Sequence, residues 1–283
     1  MASSSPSMHS RHMKPRRSRT PWIWACAGAA AGLLVAALVF APARWLAHGL
    51  AGSLHGFRDG STSAPHAALT LHKAQGTLWD GSAQLMLGSS ALPGRLEWTL
   101  RPQWQADGPG LVVRWTASCC LRQPWRWDLV TDGRSARLRT SDLPATEPLR
   151  LPADLLSGLG APWNTLQPQG QIEFSSRQLG ASVGAEGVVM QGFAQLDVLG
   201  LSTSLSTLRP VGSYRLGLQG TPVTLTMSTL EGALRLQGQG SLQDGHFVFD
   251  GEASAAEGLE DALSNLLNII GQRQGARSLI HLG

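Results

Sequence analysis

Tyrosine, cysteine and charge are scarce in this sequence. Of 283 residues one is tyrosine and three are cysteine, and charged residues make up only 15%. Lysine occurs twice, at Lys14 and Lys73. No C-x-x-C pair or Cys/His cluster surrounds the cysteines, which argues against a zinc site. Cys26 sits in an apolar run and reads as a small apolar residue there. Cys119 and Cys120 are neighbours, whose side chains on a strand point to opposite faces. The expectation is one buried thiol and one available thiol.

Catalytic signatures are missing as well. There is no G-x-S-x-G elbow, H-E-x-x-H, P-loop or dinucleotide fingerprint. The eight histidines are scattered, and none pairs with an acidic residue at ligand spacing. Glu260 and Asp261 are adjacent on an expected helix, so they do not converge on one target. Asp80 follows Trp79 and reads as a turn residue rather than a catalytic acid. The reading is a protein that is not an enzyme and needs no metal or cofactor.

The net charge of +4 does not mark a nucleic-acid binder. Arg11, Lys14, Arg16, Arg17 and Arg19 precede the first acidic residue, Asp59, and the chain after this tail sums to −1. A nucleic-acid binder concentrates positive charge on its folded part. Aromatic residues are 6% and glycines number 33, which fits an extended sheet better than a thick-cored α/β enzyme.

Residues 22–40 read W-I-W-A-C-A-G-A-A-A-G-L-L-V-A-A-L-V-F, without a charge. As a helix this run reaches roughly 28 Å, close to the hydrocarbon thickness of a bilayer. Trp22 and Trp24 stand at one end, where indole rings favour the headgroup level, and Trp45 lies past the other. The basic flank, Arg16, Arg17 and Arg19 within it, puts residues 1–21 in the cytoplasm and the remainder across the membrane. The Ala-, Gly- and Arg-rich composition suits a bacterium and hence a periplasmic domain. Ala41-Pro42-Ala43 matches a small-x-small cleavage pattern, but the apolar run exceeds the roughly 7–15 residues of a cleavable signal. A retained single-pass anchor is expected. Ala25, Gly28, Ala29 and Gly32 make a small-residue face that permits close helix approach, or reflect composition alone.

Past a linker at 41–67, short alternating runs bounded by Gly, Pro or Asp-Gly predict antiparallel strands. A first β half spans 68–140, with Asp132-Gly133 as its clearest hairpin turn. Prolines 144, 148, 152, 162 and 168 mark residues 141–169 as a connection. A second β half spans 170–253, and the lack of tryptophan after Trp163 predicts a thinner core there. Residues 254–283 hold a helix and a tail. Leu259, Ala262, Leu263, Leu266, Leu267 and Ile270 follow helical spacing, which predicts an amphipathic helix docked on its own domain or, alternatively, offered to a partner. The fold class is mainly β, an open, twisted, mostly antiparallel sheet behind a transmembrane helix. An open sheet has edges that accept a partner strand, and Val223 to Met227 is the candidate edge.

The block Gly76-Thr77-Leu78-Trp79-Asp80-Gly81 carries a family resemblance. The two glycines permit positive φ around a short segment in which Trp79 reads as a fold anchor rather than a ligand platform. With the charge-flanked helix, this block resembles protein N of the bacterial type II secretion system. Leu96-Glu97-Trp98-Thr99-Leu100-Arg101-Pro102 is similar to that family's W-x-L-x-P strand. Gly212-Ser213-Tyr214 resembles its G-x-Y strand start, and residues 225–234 followed by Gly238-Gln239-Gly240 resemble its last hairpin. The resemblance implies a non-enzymatic, single-pass inner-membrane accessory component. Its partners would be other secretion components in the inner membrane and periplasm. A second reading is a carrier of lipid or another hydrophobic ligand in a β-groove, since apolar residues on one sheet face fit either role.

Overall fold

The computed structural model describes residues 20–44, 69–161, 163–185, 187–243 and 246–283. The basic tail with Arg16, Arg17 and Arg19, Trp45 and most of the expected linker lie outside the described residues. The chain divides into two compact units, Met1–Ala41 and Pro42–Gly283.

In the first unit a helix runs over Thr20–Val39, with no acidic residue in its first turn and no basic residue in its last. Twenty residues at 1.5 Å each make about 30 Å. Trp22, Trp24, Leu33 and Val35 are all exposed. Among the described residues no helix is long and apolar enough to cross a membrane. The side chains of Pro21, Ile23, Leu34 and Leu38 are not among those described, so a spanning role rests on the helix's full sequence.

The second unit is built from antiparallel strands. They are β1 (Leu69–Gly76), β2 (Asp80–Leu87), β3 (Ser90–Ala91), β4 (Leu96–Gln105), β5 (Gly108–Ala117), β6 (Trp125–Thr131), β7 (Ala136–Thr140) and β8 (Leu149–Pro152). After them come β9 (Gln169–Gly184), β10 (Gly187–Ser202), β11 (Gly212–Gln219), β12 (Thr224–Gly232), β13 (Leu234–Gln243), β14 (His246–Ala255), β15 (Gln272–Gln274) and β16 (Arg277–Leu282). Among the described residues these sixteen form one open sheet. Its order is β1-β2-β4-β5-β6-β7-β9-β10-β11-β12-β13-β14-β16-β15, with β3 on β2 and β8 on β9.

Most neighbours in the sheet are neighbours in sequence, because short turns can join antiparallel strands directly. At the β6–β7 turn the Asp132 carboxylate accepts hydrogen bonds from the Arg134 and Ser135 amides at 2.8 and 2.6 Å. Those amides, Ser135 first, hold the Asp132 carboxyl below its ordinary range.

Three features differ from expectation. Strand β12 contains Thr224 to Met227 and pairs with β11 on one side and β13 on the other, so it is not an edge. The true edges are β1 and the short β15 with the free part of β16. The proline-rich stretch also joins the sheet. Leu149 to Pro152 pair with Phe174 to Gln171, and Pro152 closes the strand where no further amide is needed. A 3₁₀ segment, Ala153–Leu159, follows and buries Ala153 and Leu155. Finally, the tail after Gln272 is strand, and Arg277 to Leu282 pair along β14.

Cross-strand partners lie on one face of a sheet, and so do residues two apart on a strand. On that basis Leu71, Leu85, Leu96, Trp115 and Trp125 share a face with Phe174, Leu196 and Leu216. This inner face holds the core. At its far end lies a helix, Glu260–Ile270, with Glu260 and Asp261 in its first turn, where the helix dipole favours negative charge. Leu263, Leu266 and Leu267 are buried against Val211, Tyr214, Leu234 and Ala253. Each such leucine contributes roughly 1.5–3 kcal/mol by leaving water. The helix ends where Ser278 Oγ, itself buried, donates to the Leu267 carbonyl at 2.7 Å. The tryptophan-free half therefore owns the largest buried cluster, not a thin core, because a helix supplies the bulk its strands lack.

Candidate functional site

The residues Gly76, Thr77, Leu78, Trp79 and Gly81 come together as the turn between β1 and β2. Gly76 takes φ +85°, and a Cβ there would lie 2.5 Å from the Asp80 carbonyl. A Cβ on Gly81 would collide with the ring of Trp98. Trp98 is 1% exposed and donates its indole N–H to the Leu78 carbonyl at 3.0 Å. The spacing of the block thus has a physical cause. Two glycines let a turn close over an indole that arrives from β4, and the backbone at Leu78 holds that indole in place.

Trp79 is half-buried and packs on the cluster formed by Ala43, Ala83, Trp98 and Leu100. The fully buried anchor is Trp98. The signal for it was present in the sequence, since its two-residue step to Leu100 puts both on the inner face. Asp80 is exposed and forms a two-pronged ion pair with Arg101, at 2.8 and 3.0 Å. A surface pair of this kind is a structural clasp of small energy, not an acid in a pocket. Pro42 bridges Thr77, and the Ala43 amide donates to the Gly76 carbonyl at 3.2 Å, so the start of the domain is tied to this same turn.

Farther along the inner face lies a cavity of about 310 Å³. Its walls include Leu71, Leu85, Leu121, Leu151, Trp115 and Trp127, together with Cys120 and Ala117. Trp115, Trp125 and Trp127 meet edge to face, with ring centroids 5.6 and 5.0 Å apart. Trp125 donates to the Ser141 carbonyl at 3.1 Å, while the buried N–H groups of Trp115 and Trp127 have no partner among the described residues. The rings therefore present carbon, not donors, to the cavity. Larger recesses, of about 580 and 620 Å³, are lined mainly by polar residues such as Asp142, Arg177 and Gln178 in one and Ser228, Glu231 and Arg235 in the other.

Cys119 and Cys120 are joined in a disulfide, which corrects the expectation of two thiols. The expectation assumed a strand. The pair lies instead in the turn after β5, where the Cys120 and Leu121 amides both donate to the Ala117 carbonyl. A turn lets neighbouring side chains converge.

The second half has a counterpart to the Trp98 turn. Tyr214 is 2% exposed and donates its hydroxyl to the Leu234 carbonyl at 3.0 Å. Burial raises its phenol above the ordinary value. A Cβ on Gly212 would lie 2.6 Å from that hydroxyl, which explains the glycine in Gly212-Ser213-Tyr214. Likewise Gly240 and Gly251 lie under the Phe249 ring, with Cβ positions only 3.0 Å from its carbons. A large ring covers strands that lack side chains of their own.

No group of three or more His, Cys, Asp or Glu among the described residues is placed to hold a metal ion. Trp22 and Trp24 lie on the exposed N-terminal helix, while Arg16, Arg17 and Arg19 are outside the described residues. A family model described as type II secretion system (T2SS), protein N, matches residues 67–279. No curated protein and no solved structure matches the chain.

Proposed function

The chain belongs to the type II secretion system protein N family, and from that premise we propose that it is an accessory or assembly component of the secretion machine. The match spans nearly the whole sheet domain, and this single observation carries the reading. Proteins of this family are structural components rather than enzymes.

The helix Thr20–Val39 spans the inner membrane as a single-pass anchor, with residues 1–21 in the cytoplasm and the β domain in the periplasm. Its uncharged length and the Arg16, Arg17 and Arg19 flank support this orientation. Contacts with other components run through the membrane helix and through the two open edges of the sheet. The interior strands have a neighbour on each side, whereas an edge strand offers a whole row of backbone groups.

Deleting the gene in its host tests the reading. Proteins exported by the type II pathway should then accumulate in the periplasm, and the full chain supplied in trans should restore their release. Normal release without the chain overturns the proposal. A reporter active only in the periplasm, fused after Gly283, tests the orientation separately and should be active.

A further inference from the structure

We propose that the Cys119–Cys120 bond is a site of thiol–disulfide exchange with a dithiol reductant, and that its reduction releases strand β8 and the 3₁₀ segment behind it from the first half of the sheet. The inference rests on the turn itself and goes beyond the secretion reading.

A disulfide stabilises a fold mainly by closing a loop, and the gain grows with the length of chain enclosed. Cys119 and Cys120 are consecutive, so their bond encloses no chain that the peptide bond does not already tie. Its effect is therefore confined to the turn it sits in. The two residues also differ in access. Cys120 is 6% exposed, in a cluster with Leu92, Ala117 and Leu155. Cys119 is exposed and lies over Gly94, where a Cβ would come within 3.3 Å of the Cys119 sulfur. A thiolate arriving from solvent reaches Cys119 and not Cys120.

The exchange balances in two attacks. The reductant's first thiolate bonds to the Cys119 sulfur, the protein's S–S bond breaks, and Cys120 leaves as a thiolate that takes up a proton. The second thiolate then attacks the reductant's own sulfur in this mixed disulfide. Cys119 leaves and is protonated, and the reductant departs as a disulfide, having supplied two electrons and two protons. A monothiol lacks the second attack, and the neighbouring Cys120 expels it again.

What the turn holds is the short strand after it. The Cys120 carbonyl accepts the Arg150 amide at 2.9 Å, while Leu149 and Leu151 of β8 and Leu155 of the 3₁₀ segment pack on the Cys120 cluster. Strand β8 has four residues, all that pair with β9, and Pro148 and Pro152 bound the ladder. Such a segment, with few backbone bonds of its own, belongs to the low-stability end of a structure. Once the bond is reduced the two side chains are free to part, and the Cys120 carbonyl and side chain lose the position on which β8 depends.

The test uses the full chain in detergent under native conditions. Dithiothreitol serves as the dithiol and glutathione as the monothiol, at equal thiol concentration, followed by iodoacetamide and mass spectrometry of the tryptic peptide Trp115–Arg122. Dithiothreitol should leave both cysteines alkylated, and glutathione neither. Amide hydrogen exchange over residues 149–159 should then quicken roughly tenfold or more, with Gly212–Gln219 unchanged, and reoxidation should reverse it. Cys119→Ala, which keeps Cys120 in its cluster, should show the fast exchange without reductant. Cysteines alkylated before any reductant, or resistant to dithiothreitol, overturn the exchange site. Equal reduction by glutathione overturns the need for a dithiol. Reduction without faster exchange at 149–159 overturns the coupling to β8. Faster exchange throughout the sheet means that the bond holds the whole fold, and overturns the local release. Should Cys119→Ala fail to fold, the wild-type chain compared before and after reduction decides alone.

Discussion

The two halves of the sheet solve one problem in two ways. Each has a single buried polar aromatic beside a glycine, hydrogen-bonded to a backbone carbonyl twenty positions away in sequence: Trp98 to Leu78, and Tyr214 to Leu234. Beyond this shared clamp they diverge. The first half fills its inner face from its own strands, with Trp98, Trp115, Trp125 and Trp127, and still leaves a cavity. The second half has glycine at Gly238, Gly240 and Gly251 where the first has indoles, and covers the face with the leucines of a helix. Counting large side chains along strands thus misjudges a core when a helix supplies the bulk. The half with larger side chains still keeps an apolar cavity on its inner face.

Breaking each clamp gives the largest expected effects. Trp98→Ala removes a fully buried indole and leaves the Leu78 carbonyl unpaired, and should lower stability by about 3–5 kcal/mol in denaturant titration of the full chain. Trp79→Ala, at the half-buried neighbour, should cost about 1–2 kcal/mol, since less area leaves water. Equal losses at the two positions would mean that the turn, rather than the Trp98 indole, carries the anchoring.

On the other side of the comparison, Leu267→Ala should cost about 2–4 kcal/mol, because its site is closed on every side and cannot collapse fully. A negligible change would show that the helix only rests on the sheet. The second half's stability would then come from its strands alone. Tyr214→Phe is milder, about 1 kcal/mol, since it removes one hydrogen bond while keeping the ring. A loss as large as that of Trp98→Ala would mean that the second clamp is the stronger one.

The strands of both halves were legible in the sequence because alternation and turn residues are local signals. Asp132-Gly133 read as a turn for that reason, while the G-T-L-W-D-G block read only as a short segment between two glycines. The family was legible too, since its motifs place glycines under particular rings. Pairings set by distant chain segments were not legible. Strand β12 looked like a candidate edge because nothing local in Val223 to Met227 says how many neighbours it has. Strand β8 was hidden by prolines that end it without preventing its short ladder. Trp79 drew attention as the motif's aromatic, while the anchor was Trp98, whose burial depends on a turn twenty residues earlier. The cavity had no sequence signature. Its leucines come from six separate segments and are ordinary core residues in each.

The finest expected difference between the halves is electrostatic. In the first half, Asp80 and Arg101 form a pair whose side chains are 56% and 54% exposed. In the second, Arg215 grips Asp197 through two bonds of 2.8 Å across neighbouring strands, and the Asp197 side chain is only 15% exposed. Arg215 foremost, and then Gln195, hold the Asp197 carboxyl below its ordinary range, against the opposing pull of burial. A carboxylate lowered on folding stabilises the native state above its unfolded pKa, and that contribution fades as pH falls through the folded value. The Arg215 side chain is 43% exposed, so solvent screening limits the gain to about 0.5–1 kcal/mol. Arg215→Met should therefore lower stability slightly at neutral pH and flatten its decline toward low pH. Asp80→Asn should leave the stability curve at neutral pH unchanged within measurement. If instead the Asp80 variant shows the larger loss, the clasp over the Trp98 turn is stiffer than its exposure implies, and the first half, not the second, relies on charge.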